Sequence, residues 1–203
     1  MVNLSISLIL AYLVGSIPTS YIFAKFLKKV DIRKEGSGNV GATNVFRVVG
    51  KWPAIIVLAL DILKGVIAVL LLSDIFFNNK IGITTGLENY RLLLGLSAIS
   101  GHIWSAFLKF KGGKGVATTA GVLAVLAPKV LVCVAFVWVI VFVIFRIVSI
   151  ASILAAMSLP VFSVIFYVSI YFAIFSVILC LGAVYKHKAN IARLVRGEEK
   201  KLF

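Results

Sequence analysis

The chain has 203 residues, 62% of them hydrophobic, a mean hydropathy of +1.12 and a formal net charge of +14. So apolar a composition excludes an ordinary water-soluble domain, while the length suits one compact helical membrane domain. Cys133 and Cys180 lie in apolar runs and the two histidines, His102 and His187, belong to no cluster with metal-ligand spacing, so neither a disulfide framework nor a metal site is expected.

A spanning helix needs about 20 apolar residues. Leu4 to Ala24 meets that requirement, with no cation before it and no small-residue cleavage pattern after it, which reads as a span and not as a secretory signal. Lys25, Lys28 and Lys29 follow directly and place the N-terminus outside and the lysines in the cytoplasm. Next comes Gly36-Ser37-Gly38-Asn39-Val40-Gly41-Ala42-Thr43-Asn44-Val45-Phe46-Arg47. Gly36, Gly38 and Gly41 formally match G-x-G-x-x-G, but no apolar strand precedes them and no βαβ unit surrounds them, so a dinucleotide fold is not indicated. A glycine loop still lets backbone N–H groups approach an anion with no Cβ in the way. Ser37, Asn39, Thr43 and Asn44 add hydrogen-bonding groups, and Arg47 suits bidentate contact with phosphate. A plain polar connector built of turn formers is the competing reading.

A second span is expected over 53–76. It contains Asp61 and Lys64, which share a helix face about 12 Å in from Pro53 and form either a functional or a structural ion pair. A third span, 91–108, ends with Gly101-His102, and then Lys109-Phe110-Lys111-Gly112-Gly113-Lys114-Gly115 interleaves lysine with glycine. This is no Walker A loop, because Leu108 stands at the first glycine position and Gly115 follows Lys114. The cations alone would serve as a sidedness signal; the glycines suit phosphate, as does the N-terminal end of the helix expected from Val116.

Spans 116–128 and 130–145 meet at Pro128-Lys129. The run 147–184, about 57 Å if helical, is too long for one crossing and is expected to fold back near Tyr167-Val168-Ser169-Ile170-Tyr171. The expected architecture is thus an all-α membrane protein forming one domain over 1–203. It has about seven transmembrane helices, an outside N-terminus and a cytoplasmic C-terminus. This arrangement puts 17 of the 21 Lys and Arg residues on the cytoplasmic side and leaves Lys80, Lys129 and Arg91 outside. Five spans would keep the same sidedness. In the tail, a helix would bring His187, Asn190 and Arg193 within about 120° of one another; a basic helix lying on anionic headgroups is the alternative.

Taken together, these segments resemble the bacterial acyl-phosphate:glycerol-3-phosphate acyltransferase family. The stretches that carry the resemblance are 36–47, Gly101-His102 with Lys109 to Thr118, and His187-Lys-Ala-Asn-Ile-Ala-Arg-Leu194 followed by Gly197 and Glu199; Asp61-Ile-Leu-Lys64-Gly65 also fits. One departure is Ser105, where the family usually has proline. The resemblance implies a seven-span inner-membrane enzyme without cofactor or metal. It would transfer a fatty acyl group from acyl phosphate to the 1-hydroxyl of glycerol 3-phosphate. The products are 1-acyl-glycerol 3-phosphate (lysophosphatidate) and phosphate, in the first acylation of phospholipid synthesis. The expected partners are these substrates and membrane lipid, not nucleic acid.

On this reading Gly36, Gly38, Gly41, Gly112, Gly113 and Gly115 present backbone to phosphate, with Asn39, Thr43 and Asn44 beside them. Arg47, Lys111 and Lys114 neutralise charge, Asn190, Arg193 and Glu199 belong to the glycerol 3-phosphate site, and Ser37 hydrogen-bonds the reacting hydroxyl or the acyl phosphate. The proton goes either to His187 or to the donor's own phosphate. Position 106 is Ala and position 191 is Ile, so neither His102 nor His187 has an acid four residues on. A phosphate transporter is the rival class, though the polar motifs cluster on one side while Asp61 and Lys64 alone lie at depth.

Overall fold

The computed structural model describes residues 2–77, 86–166 and 169–203, without the side chains of Val2 and Asn3. Lys80 and the Tyr167-Val168 part of the expected turn lie outside the described residues. Every regular element among the described residues is helical. In chain order they are α1 (Val2–Ser16), α2 (Thr19–Lys28), α3 (Ala42–Val48), α4 (Lys51–Phe76) and α5 (Leu87–Ile103). A 3₁₀ turn (Ala106–Leu108) follows, then α6 (Val116–Leu126), α7 (Pro128–Phe145), α8 (Val148–Phe166), α9 (Ile170–Lys186) and α10 (Lys188–Val195).

Five helical stretches are long and apolar enough to cross a bilayer: Leu4–Lys28, Lys51–Phe76, Leu87–Leu108, Pro128–Phe145 and Val148–Phe166. The protein is therefore a multi-pass membrane protein. α9 and α10 together make a sixth such stretch, bent by 55°. α6 is shorter than the expected 116–128 span; its 11 residues rise only about 16 Å, roughly half the hydrocarbon thickness. The junction after it falls where Pro128 suggested, since proline is tolerated in the first turn of a helix and not in its middle. The 36–47 segment is a loop only in its first half, because Ala42 to Val48 winds into α3.

The chain divides into two compact units, Met1–Leu126 and Ala127–Phe203. In the first, helices touch through backbone. A Cβ on Gly15 would collide with the Ala98 carbonyl, and one on Gly101 with the Tyr12 carbonyl, so α1 and α5 lie in direct main-chain contact. Gly65 meets the Thr118 carbonyl and Gly121 the Ile62 carbonyl in the same way, which seats α6 on α4. Lipid tails are as apolar as leucine, so helices in a membrane gain by such close packing and not by expulsion of water. In the second unit α8 packs against both α7 and α9, and the C-terminal residues fold back on the α7–α8 turn, where the Leu202 N–H donates to the Arg146 carbonyl at 2.9 Å.

A methyl at position 121 would force the α4 and α6 backbones apart. Gly121→Ala is expected to destabilise the protein by about 1–3 kcal/mol, read as a lowered unfolding temperature in detergent. Gly182→Ala is the control: nothing lies within 4 Å of its Cβ position, so its unfolding temperature stays at or slightly above that of the parent.

Candidate active site

The first unit holds the two glycine-bearing loops. Asn44, in the first turn of α3, organises the loop before it. Its Nδ2 lies 3.1, 3.0 and 3.1 Å from the carbonyl oxygens of Ile32, Glu35 and Asn39, and its Oδ1 accepts the Ser37 N–H at 2.9 Å. Gly36 and Gly38 occupy the left-handed region (φ 59° and 69°), and a Cβ at Gly36 would strike the Asn44 amide. The amide of Asn44 is thus engaged by the loop that it shapes. Gly41 stands just before α3 and its carbonyl accepts the Asn44 and Val45 N–H groups. Around this buried amide, Ser37 and Gly38 are exposed, while Asn39, Thr43 and Arg47 are half-buried. Upstream, the Arg33 guanidinium clasps Asp31 at 2.7 Å and holds its carboxyl down at about 2.

The second loop also folds on itself. Gly112 N–H donates to the Ile103 carbonyl and Gly113 N–H to the His102 carbonyl, at 3.2 and 3.0 Å. A Cβ at Gly112 would collide with the His102 carbonyl; one at Gly113 would collide with the Val40 carbonyl and the His102 ring. These two glycines are therefore required by close approach of protein backbone, and the Gly113–Val40 contact joins the two loops at one end of the unit. Lys109 and Phe110 sit at positive φ (54° and 60°), held by bonds from Phe110 N–H to the Ser105 carbonyl and from Lys111 N–H to the Leu108 carbonyl. Lys111 is exposed and Lys114 half-buried. Gly115, at φ 85°, turns the chain into α6.

Beneath these loops lies a buried polar cluster, and the recess there is lined by Ser16, Thr19, Asp61, Lys64, His102 and Ser105. Asp61 is 1% exposed. Its Oδ1 accepts from Thr19 Oγ1 at 2.7 Å and from Lys64 Nζ at 2.7 Å, and His102 Nδ1 stands 3.7 Å away. Lys64 Nζ also donates to the Ile17 carbonyl at 3.3 Å, at the break between α1 and α2. Ser105 Oγ donates to the Ser16 carbonyl at 2.5 Å, and Ser16 Oγ to the Gly101 carbonyl at 3.2 Å.

The second unit gathers the tail residues around Glu199. Its Oε1 accepts from Asn190 Nδ2 at 2.5 Å and from Ser149 Oγ at 2.7 Å; its Oε2 accepts from Arg193 Nε at 2.6 Å. Burial pushes this carboxyl up, but the bonds from Asn190, Arg193 and Ser149 and the Arg193 charge outweigh it and hold the group below its ordinary 4.5. His187 stands at the N-cap position of α10 and is 2% exposed; its Nδ1 lies 2.8 Å from the Ala183 carbonyl oxygen, to which it donates. The expected helical spacing of Asn190 and Arg193 is realised, and both side chains converge on one carboxylate. Ser149 was not anticipated, since a serine near the start of an apolar helix reads as filler. Its one sequence signal is its place just after Arg146, on the side expected to carry the tail.

Residues 5–197 match the glycerol-3-phosphate acyltransferase family. The chain belongs to that family. It is 45% identical over 192 residues to glycerol-3-phosphate acyltransferase of Desulforudis audaxviator, covering 95% of this chain and 92% of that protein. It is 43% identical over 203 residues to the enzyme of Prochlorococcus marinus strain MIT 9515, covering 97% and 96%. Among solved structures it superposes on PlsY, an integral membrane glycerol 3-phosphate acyltransferase, in its glycerol 3-phosphate form. That match has a TM-score of 0.87 and 37% identity, and covers 98% of this chain and 94% of that one. Against the lysophosphatidic acid form the TM-score is 0.84.

Two predictions follow from the geometry of these clusters. Glu199 has a lowered folded-state pKa, so its contribution is complete above about 4.5 and disappears as pH falls through the lower folded value. Glu199→Gln is expected to cost about 1.5–3 kcal/mol for the lost charge-assisted bonds, and its unfolding temperature should converge on the parent's only below pH 4.5. Ser105 has φ −61° and ψ 123°, values open to the family's usual proline. Ser105→Ala loses a bond of about 1 kcal/mol. Ser105→Pro loses the same bond but regains about 0.4–1 kcal/mol through a stiffer unfolded chain, so it should unfold at a higher temperature than Ser105→Ala.

Proposed function

We propose that this protein transfers a fatty acyl group from acyl phosphate to the 1-hydroxyl of glycerol 3-phosphate, releasing 1-acyl-glycerol 3-phosphate and inorganic phosphate. The observation that carries the reading is the match to the acyltransferase family over 5–197, which includes both glycine-bearing loops and the tail as far as Gly197. The one match across both compact units also supports reading 1–203 as a single membrane domain. Seven crossings follow if α6 and the α9–α10 pair are each counted with the five long stretches.

The protein is placed in the bacterial inner membrane with its N-terminus outside. Its reactive groups face the cytoplasm. Charge supports this sidedness, because the cations of both glycine loops share one end of the first unit, and Arg146 shares one end of the second with the tail.

In the reaction the 1-hydroxyl oxygen attacks the acyl carbon, a tetrahedral oxyanion forms, and its collapse breaks the bond to the phosphate oxygen. Phosphate is already a good leaving group, so positioning and charge stabilisation are the main requirements. Arg47, Lys111 and Lys114 neutralise phosphate charge, and the exposed faces of Gly36, Gly38 and Ser37 border it, with Asn39 and Thr43 alongside. Asn44, Gly41, Gly112, Gly113 and Gly115 act by fixing the loops that carry these groups. Asn190 and Arg193, oriented by Glu199, bind glycerol 3-phosphate. The hydroxyl proton passes to the departing phosphate, and His187 helps to orient the donor. Both substrates reach the site at the lipid surface, where the acyl chain stays in hydrocarbon.

Purified protein given acyl phosphate and glycerol 3-phosphate should release phosphate and lysophosphatidate in equal amounts, with acyl-CoA inactive as donor. Arg47→Ala, Lys114→Ala and Asn190→Ala should each lower turnover by about 100-fold or more while remaining in the membrane. Full activity in all three variants, or equal use of acyl-CoA, would reject the assignment.

A further inference from the structure

The buried cluster of the first unit touches the lysine-glycine loop at Ser105, whose carbonyl accepts the Phe110 N–H, and at His102, through both its ring and its backbone. One edge of the imidazole, Nδ1, faces the Asp61 carboxylate at 3.7 Å. The opposite edge, Nε2, packs where a Cβ on Gly113 would stand. The carbonyl of the same residue accepts the Gly113 N–H at 3.0 Å. His102 is 8% exposed and closes the C-terminal turn of α5, so the ring has little room to move.

Asp61 is itself fixed by two side chains. Thr19 reaches it from α2, Lys64 from its own helix, and Lys64 is tied in turn to the Ile17 carbonyl. The charged groups facing the ring are thus Asp61 and, behind it, Lys64. Gly113 next contacts the Val40 carbonyl of the first glycine loop. A continuous set of contacts therefore runs from the α1–α2 break through Asp61 and His102 to Gly113 and Val40, and Lys114 is the residue after Gly113.

We infer that His102 is a positioning residue: it transmits the fixed geometry of the Asp61–Lys64 pair to the loop that carries Lys111 and Lys114, and so sets how that loop meets a substrate phosphate. It exchanges no proton with substrate. This inference rests on the acyl-transfer reading for its kinetic consequence, but not for its structural one.

The test compares His102→Leu, which fills space without an N–H, with His102→Asn, whose side-chain amide stands where Nδ1 stands and still faces Asp61. Hydrogen exchange of the 109–115 amides is measured by mass spectrometry on the full-length protein in detergent. In His102→Leu, exchange at this loop should rise by about tenfold or more. The KM for glycerol 3-phosphate or for acyl phosphate should rise about tenfold, with kcat within about threefold. Titrating each substrate separately shows which phosphate the loop meets. His102→Asn should regain most of both effects.

If His102→Leu is not recovered from the membrane, His102→Gln takes its place, since it keeps an amide at the Gly113 edge and withdraws it from Asp61. Parent-like exchange and KM values in the leucine or glutamine variant would overturn the inference, as would an asparagine variant no better than leucine. Exchange needs no turnover. A parent protein that transfers no acyl group therefore refutes the proposed function, while the exchange result still judges His102.

Discussion

A helix that breaks inside hydrocarbon leaves backbone carbonyls that water cannot reach, and each must find a donor within the protein. Between α1 and α2 the break falls at Ile17-Pro18: the Ile17 carbonyl accepts from the Thr19 N–H at 3.1 Å and from Lys64, and the Ser16 carbonyl accepts from Ser105 Oγ. An ammonium taken this deep costs several kcal/mol unless it is paired. Asp61 supplies the pair one turn before it, and Thr19 and His102 in turn surround Asp61. The polar interior of the first unit is thus a connected set of bonds that starts at one proline-marked break. Main-chain contact of α1 with α5 and of α4 with α6 brings these short polar reaches within bonding distance.

This arrangement changes what the glycine loops are for. Backbone N–H groups at Gly112 and Gly113 are already bonded to the end of α5, and the amide of Asn44 is bonded to three carbonyls and one N–H of its own loop. Such loops are rigid before any ligand arrives. On the proposed reading they hold side chains, Arg47 and the lysines above all, in fixed positions. Pre-organised charge of this kind needs little rearrangement as an oxyanion develops, which is where an acyltransferase acting on an activated donor gains most.

Hydropathy made the long helices legible, and Pro128 marked the α6–α7 junction, because the bilayer imposes a length and proline a boundary. The tail spacing was legible too: Asn190 and Arg193 sit one turn apart and converge on Glu199. Close approach was not legible. A glycine beside a phosphate and a glycine beside a carbonyl look alike in sequence, and only the fold shows that Gly112, Gly113 and Gly121 each stand against a protein carbonyl. The loop-building bonds of Asn44 were not legible either, since an amide that builds a loop and one that binds an anion look alike in sequence. Ser149 and Thr19 gave no signal because single hydroxyls in apolar helices are common, and only the fold shows which of them meets a carboxylate.

The two buried carboxylates divide the stabilising work in a way that follows from their depth. Asp61 lies where water is excluded, and it carries an internal counter-ion, so its charge and that of Lys64 cancel and leave the field at the loops to Arg47 and the lysines. Glu199 lies at the end of its unit and accepts from Asn190, Arg193 and Ser149. There the carboxylate orients two donors at once, Asn190 through Nδ2 and Arg193 through Nε. A carboxylate can order both donors together, which a lysine, having no acceptor, could not. Replacing it by a cation would repel Arg193, and replacing it by an apolar group would leave both side chains to choose among rotamers.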